Sequence, residues 1–290
     1  MKVALATCQE LPHLDSDELH LLRALEHQGI EYVIAPWDGG DEPFLTSDLA
    51  VIRSTWDYTQ KVEAFVAWAA RIELGQKARG KALANPASVV RWNTHKRYLL
   101  ELAGEGVAIV PTAMLARGTA ESLRTVLQQR GWSNGAVVKP AVSAGSKDTV
   151  RVRDLDLDEG QALLDKLLPS RDLMVQPFVR GIADGEVSLV YLDGLFSHAV
   201  NKRPRSEDFR SQPEFGSLVE RIDATKEQLA AADDVLGVVG GRLLYARVDF
   251  VRGDDGRPWL MELELVEPCL YLAHDQQAAT RLARAIAMRA

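Results

Sequence analysis

The sequence predicts an α/β and α+β protein, in which a parallel unit is followed by antiparallel hairpins. Three observations predict it. Residues 3–52 alternate short apolar strands with an amphipathic helix, the rhythm of a small parallel sheet. After residue 83 the chain changes character, and strands begin to pair around turns such as Asp193-Gly194. Residues 244–272, LYARVDFVRGDDGRPWLMELELVEPCLYL, alternate with period two on both sides of a turn.

In the N-terminal unit, residues 3–6, 32–35 and 49–52 read as strands. Residues 15–28 read as a helix, with Asp15 as N-cap, Glu18 three positions on and Gly29 past the end. No G-x-G-x-x-G follows the first strand, so a dinucleotide site has no support there. RSTWDY, residues 53–58, lies after a buried strand, where open α/β sheets place ligands. Arg53, with Ser54 beside it, can fork a substrate carboxylate; equally, an Arg–Asp pair can tie this loop down. Residues 61–74 read as a helix with Phe65 and Trp68 inward.

Residues 93–104 read as a helix with Lys96 in its first turn. A cation there opposes the helix dipole, and a phosphate held at the same end would offset this. Taken alone, Lys96 reads more commonly as an exposed lysine on a polar face. Strands at 107–113 and 136–138 flank a helix at 119–130. Lys139 closes the second strand, and the small residues 141–146 lead to a strand at 150–152. Such a loop can turn backbone N–H groups onto phosphates, with Ser143 and Ser146 adding hydroxyls. It lacks the G-K-[ST] spacing of a Walker loop. A helix at 158–168 precedes residues 173–179, a strand running into a connector that Pro177 should keep out of a central ladder. Glu186 opens a hairpin whose return strand spans 198–202, and 203–216 reads as a long polar loop. Helices at 223–237 and from 275 complete the chain.

The C-terminal hairpin can put Asp249, Glu262 and Glu264 on one face. Three carboxylates so placed repel one another, and a hard divalent cation is the usual remedy. The alternative is a solvated acidic face, which the tight apolar flanks of LMELEL disfavour.

Composition bounds the partners. The 290 residues are 47% hydrophobic and 26% charged, enough for an ordinary core. A net charge of −7 argues against nucleic acid. No stretch is apolar enough to span a bilayer, and the N-terminus lacks a signal-peptide core. Cys8 and Cys269 stand far apart, so a reduced, cytoplasmic setting is expected and a thiol nucleophile is not.

Lys96, then Lys139 before a small-residue loop, then QPFV at 176–179, Glu186, Asp249 and finally Glu262-x-Glu264 form an ordered series. It resembles the ATP-grasp superfamily over nearly the whole chain. The resemblance implies an N-terminal Rossmann-like α/β domain (1–85), a central lid domain (86–180) and a C-terminal catalytic domain (181–290), with ATP between the last two. It implies Lys96 and Lys139 on the ATP phosphates, and Ser143, Gly145 and Ser146 in the covering loop. Gln176, Phe178 and Val179 would meet adenine, and Glu186 the ribose. Asp249, Glu262 and Glu264 would hold magnesium. Lys202 and Arg210 would act on the transferred phosphate and contact substrate, and Glu267 is a further candidate for substrate. Two departures stand out. The superfamily often ends its metal motif as Glu-x-Asn, and its phosphate loop often has more glycines than Gly145 alone.

Within the superfamily, RSTWDY, VVKPAVSAGS, VQPFV, GEVSLVYLDGLFSHAVNK and MELELVEPCLYL are similar to the D-cycloserine synthetase group. That resemblance implies an ATP- and magnesium-dependent ligase of antibiotic biosynthesis. It would activate a small amino-acid-like carboxylate as an acyl phosphate for attack by nitrogen, as in closure of O-ureido-D-serine to D-cycloserine. A peptide or amino-acid ligase of the glutamate-adding or glutathione-synthetase type is one alternative, and a non-catalytic ATP-binding regulator is another. A homodimer is the default assembly.

Overall fold

The computed structural model describes residues 1–153, 157–204 and 216–290. Arg210, and most of the polar stretch at 203–216, lie outside the described residues. The N-terminal part runs β1 (Lys2–Thr7), α1 (Leu19–His27), β2 (Glu31–Pro36), α2 (Glu42–Thr46), β3 (Leu49–Ser54), α3 (Val62–Ala78) and β4 (Ala82–Ala84). Its four strands are parallel in the order β2-β1-β3-β4. Every residue of β3 is buried, because apolar clusters cover both faces of the sheet.

The first helix is shorter than expected. Residues 16–18 form a 3-10 turn, and Asp15 caps it by accepting from Asp17 N. Glu18 closes no capping box, since its buried carboxylate meets Arg53 instead.

Next come α4 (Ala87–Asn93) and α5 (Tyr98–Gly104). The single helix expected over 93–104 is therefore two helices, with Lys96 in the break. The break has a cause. The Asn93 amide donates to Leu263 O at 2.8 Å and accepts from Leu265 N at 2.8 Å, while Lys96 N donates to Ala141 O at 2.8 Å. Tertiary hydrogen bonds replace the helical ladder there. Tyr98, Leu99 and Leu102 pack into the core of the C-terminal sheet, so this stretch sits with that sheet. The strand expected over 107–113 reduces to a parallel bridge, Ile109 to Leu260, before β5.

The middle sheet comprises β5 (Ala113–Leu115), α6 (Leu123–Arg130), β6 (Ala136–Pro140), β7 (Val150–Val152), α7 (Asp158–Leu167) and β8 (Leu173–Pro177). Its antiparallel order is β5-β8-β6-β7. Strand β8 is central and ends at Pro177, so the connector that follows stays out of the ladder. Pro177 is tolerated because it is the last residue of the strand, opposite Ala136, where the ladder ends.

The third sheet holds β9 (Glu186–Leu192), β10 (Leu195–Arg203), β11 (Leu218–Ile222), β12 (Tyr245–Arg252) and β13 (Pro258–Glu264), ordered β11-β10-β9-β12-β13. Helix α8 (Lys226–Val239) starts with a complete capping box at Thr225 and Gln228, and α9 (Ala278–Ala287) packs against α1 and β10. The strand expected to be half-buried, β12, is buried from Tyr245 to Val251. Val248 and Phe250 meet α5 and α8, while Tyr245 reaches the N-terminal core. Among the described residues, no helix is long and apolar enough to cross a membrane.

Candidate active site

The hairpin of β12 and β13 forms the floor of the site. Its register sets Asp249 opposite Glu262 and Arg247 opposite Glu264. Alternation alone therefore brings the three expected carboxylates to one face, but Arg247 comes with them. Its Nε donates to Asp249 Oδ1 at 3.0 Å and its Nη2 to Asp249 Oδ2 at 2.8 Å. The same Nη2 binds Glu264 across the hairpin. Ser188 Oγ donates to Asp249 at 2.6 Å, and Lys202 Nζ lies 3.4 Å from its other oxygen.

The three expected acids thus share the hairpin face with a cation, Arg247. Among the described residues, no group of three or more His, Cys, Asp or Glu side chains is arranged to hold a metal ion. Asp249, 1% exposed, is saturated by its neighbours. Glu262 and Glu264 differ, since their side chains stay 24% and 27% exposed toward the cavity.

The cavity measures about 700 Å³ and draws on all three sheets. Lys96 Nζ donates to Ser143 O at 2.8 Å and pairs with Glu262 at 3.0 Å. Lys139 lines the cavity without an ion pair among the described residues. Lys202 is 2% exposed, with Nζ 2.5 Å from Glu186 Oε1. Glu186 thus meets a lysine at the cavity wall.

The loop after β6 lines the same space through Ser143, Gly145 and Ser146. Gly145, Ser146 and Asp148 have φ of 59°, 54° and 55°. Left-handed residues in such a loop turn successive N–H groups to one side, an anion-binding shape. The Ser143 hydroxyl itself donates to Pro140 O at 3.2 Å. Gln176 turns its amide to Thr112 Oγ1 at 2.9 Å, so only its strand position serves the cavity. Phe178 and Val179 join Val110, Ile182 and Met261 in an apolar cluster at that end. Arg151 stacks over Phe178 with its guanidinium carbon 3.5 Å from the ring centroid.

The electrostatics divide the site. Burial works against ionised Asp249, yet Arg247 and Lys202 outweigh it and hold that carboxyl well below the usual range. Burial likewise opposes Glu262, and Lys96 with Lys139 keep it low. Burial dominates at Glu264, and with Glu262 and Asp249 nearby it is pushed up to about 7 despite Arg247. Burial and then Glu264 push Glu267 up to about 8. Burial, aided by Lys96, holds Lys139 below the usual lysine range.

A hard cation fits this arrangement. The donors that face the cavity are carboxylate oxygens, and Glu264 is an acid whose charge the protein leaves partly uncompensated. An anion fits at Lys139, where the protein leaves a cation equally short of partners.

Two substrate candidates sit elsewhere. Arg53, 1% exposed, gives its fork to Glu18 and to Pro268 O, and Ser54 accepts from Asp15 N at 3.0 Å. Neither lines the cavity; Trp56, Tyr58 and Gln60 from the following turn do so instead. The carboxylate that Arg53 forks is internal, because the end of β3 is covered on every side. Glu267 does line the cavity, at 9% exposure. His198 donates to Leu270 O at 2.9 Å and packs within its strand. Sequence reasoning missed Arg247 as a partner, although its alternation with Asp249 was in plain view. It also missed Asp17, whose contacts with residues 272 and 273 carry no local signal.

Comparison with known proteins covers the chain end to end. The family described as D-cycloserine synthetase DcsG, N-terminal domain, matches residues 3–85. The family described as prokaryotic glutathione synthetase, ATP-grasp domain, matches residues 103–255. Cycloserine biosynthesis protein DcsG of Streptomyces lavendulae is 30% identical over 95% of this chain and 94% of its own length. A glutathione synthetase of Prochlorococcus marinus (strain MIT 9313) is 26% identical over 63% of this chain and 57% of its own length. The crystal structure of D-cycloserine synthetase DcsG superposes with a TM-score of 0.88 at 30% identity, covering 100% of this chain and 99% of that one. D-alanine–D-alanine ligase of Bacillus anthracis shares the fold at TM-score 0.69 and 14% identity, over 100% of this chain and 97% of that one.

Proposed function

The chain belongs to the ATP-grasp family of ATP-dependent, ADP-forming carbon–nitrogen ligases, and on that premise we propose that it closes a small amino-acid-like substrate into a ring, O-ureido-D-serine into D-cycloserine. The observation that carries the ligase reading is geometric. Lys96 and Lys139 share one cavity with Glu262 and Glu264; Lys96 pairs with Glu262 and Arg247 with Glu264, and Lys139 has no ion pair among the described residues. The substrate reading rests on resemblance to a D-cycloserine synthetase along the whole chain.

Bound ATP with magnesium supplies the phosphoryl group that makes a carboxylate reactive toward nitrogen. The protein's own part is positioning and charge. Glu262 and Glu264 hold the cation, and Asp249 steadies them through Arg247 from behind. Lys96 and Lys139 take phosphate oxygens, exchanging Lys96's pair with Glu262 for a ligand. The loop at 141–149 covers them with backbone N–H groups. Phe178 and Val179 form the apolar wall for a base. Lys202 keeps its charge beside Glu186 and Asp249 at the wall of the cavity. The division into 1–85, 86–180 and 181–290 assigns substrate chiefly to the first and last parts.

A glutathione-synthetase-like ligation is the second reading, supported by the match over residues 103–255. The cavity-lining residues Cys8, Glu10, Asp15, Asp17 and Trp56 fall instead within the range matched by the D-cycloserine synthetase family, which favours the first. Incubating the protein with magnesium-ATP and O-ureido-D-serine tests it. Ring closure would form the C–N bond with phosphate leaving the acyl phosphate, and water would remove the carbamoyl group as carbon dioxide and ammonia; ADP, phosphate and D-cycloserine are expected in equal amounts. ADP release with other amino acids but not with this one would overturn the substrate reading.

A further inference from the structure

Five consecutive carbonyls beyond the hairpin are each held by a different side chain. Tyr245 donates to Val266 O at 2.9 Å, Trp56 Nε1 to Glu267 O at 3.1 Å and Arg53 Nη2 to Pro268 O at 2.9 Å. Arg247 Nη1 donates to Cys269 O at 3.0 Å, and His198 Nε2 to Leu270 O at 2.9 Å. Asp17 then accepts from Leu272 N at 2.9 Å and Ala273 N at 3.0 Å. Donors from the N-terminal sheet and from the C-terminal sheet thus clamp one short segment. The exchange of conformations that a free loop would have is removed.

What the clamped segment offers the cavity is the Glu267 side chain. The residue is 9% exposed and lines the cavity, with the Tyr58 hydroxyl acting on its carboxyl. Among the described residues it has no ion pair. Lys96, whose field reaches it, is already paired with Glu262. The neighbouring wall adds Glu10, Asp15 and Asp17. A buried carboxylate with no cation costs several kcal/mol unless a ligand provides one, roughly the penalty of breaking a buried pair.

We propose that Glu267 docks the α-ammonium group of an amino-acid substrate, so that the carboxyl one carbon away faces Lys96, Lys139 and Glu262. The placement suits that class. Glu267 lines the same cavity as Lys96, Lys139 and Glu262. An ion pair with Glu267 also keeps the α-nitrogen protonated and without a lone pair. The attacking nitrogen must then be another one in the substrate. This inference rests on the ligase reading above.

The test compares O-ureido-D-serine with its des-amino counterpart, 3-(ureidooxy)propanoate, in wild type and Glu267→Gln. ADP release gives kcat and KM, and calorimetry gives magnesium-ATP affinity. Wild type should prefer the amine by about 100-fold or more in kcat/KM, the worth of a desolvated charged contact. Glu267→Gln should lose that preference chiefly through KM, with magnesium-ATP bound as in wild type. Glu267→Asp should recover part of the preference. A Glu267→Gln enzyme that still discriminates overturns the inference and leaves the ligase reading standing. Loss of magnesium-ATP binding in that variant overturns it too, because Glu267 would then serve metal or phosphate. A wild type silent with every amino acid in a pooled set overturns both.

Discussion

Lys96 Nζ and Glu262 Oε1 lie 3.0 Å apart, joining the break between α4 and α5 to the floor of the cavity. The ligand-free protein thus keeps a phosphate-type cation and a metal-type anion in each other's company. On the proposed reading a ligand would exchange this pair for two others, so Lys96 and Lys139 should differ in what each contributes.

Lys139→Ala should leave stability within about 1 kcal/mol, since it breaks no ion pair. It should weaken nucleotide binding about 100-fold, the worth of a charge-assisted contact. Calorimetry with magnesium-ATP checks it, and an unchanged affinity would remove Lys139 from the phosphate site.

Lys96→Ala should do both. Glu262 loses its partner, so the ligand-free protein should lose about 1–3 kcal/mol in denaturant unfolding. Nucleotide affinity should fall in parallel. Pairing with Glu262→Gln should restore stability but not binding.

Glu264→Gln should leave ATP binding largely intact and lower kcat at least about 10-fold, because one charged cation ligand is lost. Chelation of divalent cations should silence the wild type. If kcat of Glu264→Gln matches wild type at low magnesium, Glu264 holds no metal.

Glu267 also makes the ligand-free protein sensitive to pH. Its carboxyl is pushed up to about 8 in the fold from an ordinary 4.5. Between those values the folded state binds the proton more tightly than the unfolded chain. Stability therefore falls as pH rises from about 4.5 to about 8, on the order of 1–3 kcal/mol from this group. Glu264, pushed up to about 7, acts in the same direction. Thermal melting across that range should show a decline that Glu267→Gln flattens. A pH-independent difference between the two proteins would remove this assignment.

Arg53→Met should cost about 3–5 kcal/mol, because Glu18 would be left buried without its counter-charge. Arg53→Met with Glu18→Leu should regain most of that. Unfolding curves of the single and double variants decide it.

The order of chemistry-bearing residues was legible along the chain. Period-two alternation in β12 and β13 was enough to put Asp249, Glu262 and Glu264 on one face. The turn at Asp193-Gly194 and the end of the first helix at Gly29 followed from local backbone needs. Helix boundaries around Lys96 were not legible, because Asn93 and Lys96 bond to residues far along the chain.

Local periodicity, turn residues and charge spacing are properties of neighbours in sequence, and they sufficed to determine the class of fold, the hairpin and the lysine–carboxylate series. Partner choice is a property of neighbours in space. Only the tertiary structure decided that Arg53 serves Glu18 and not a ligand. It alone decided that Arg247 saturates Asp249, and that the segment after β13 is clamped so that Glu267 meets the cavity. Each of those outcomes depends on which charges burial strips of water together, and sequence separation carries no record of that.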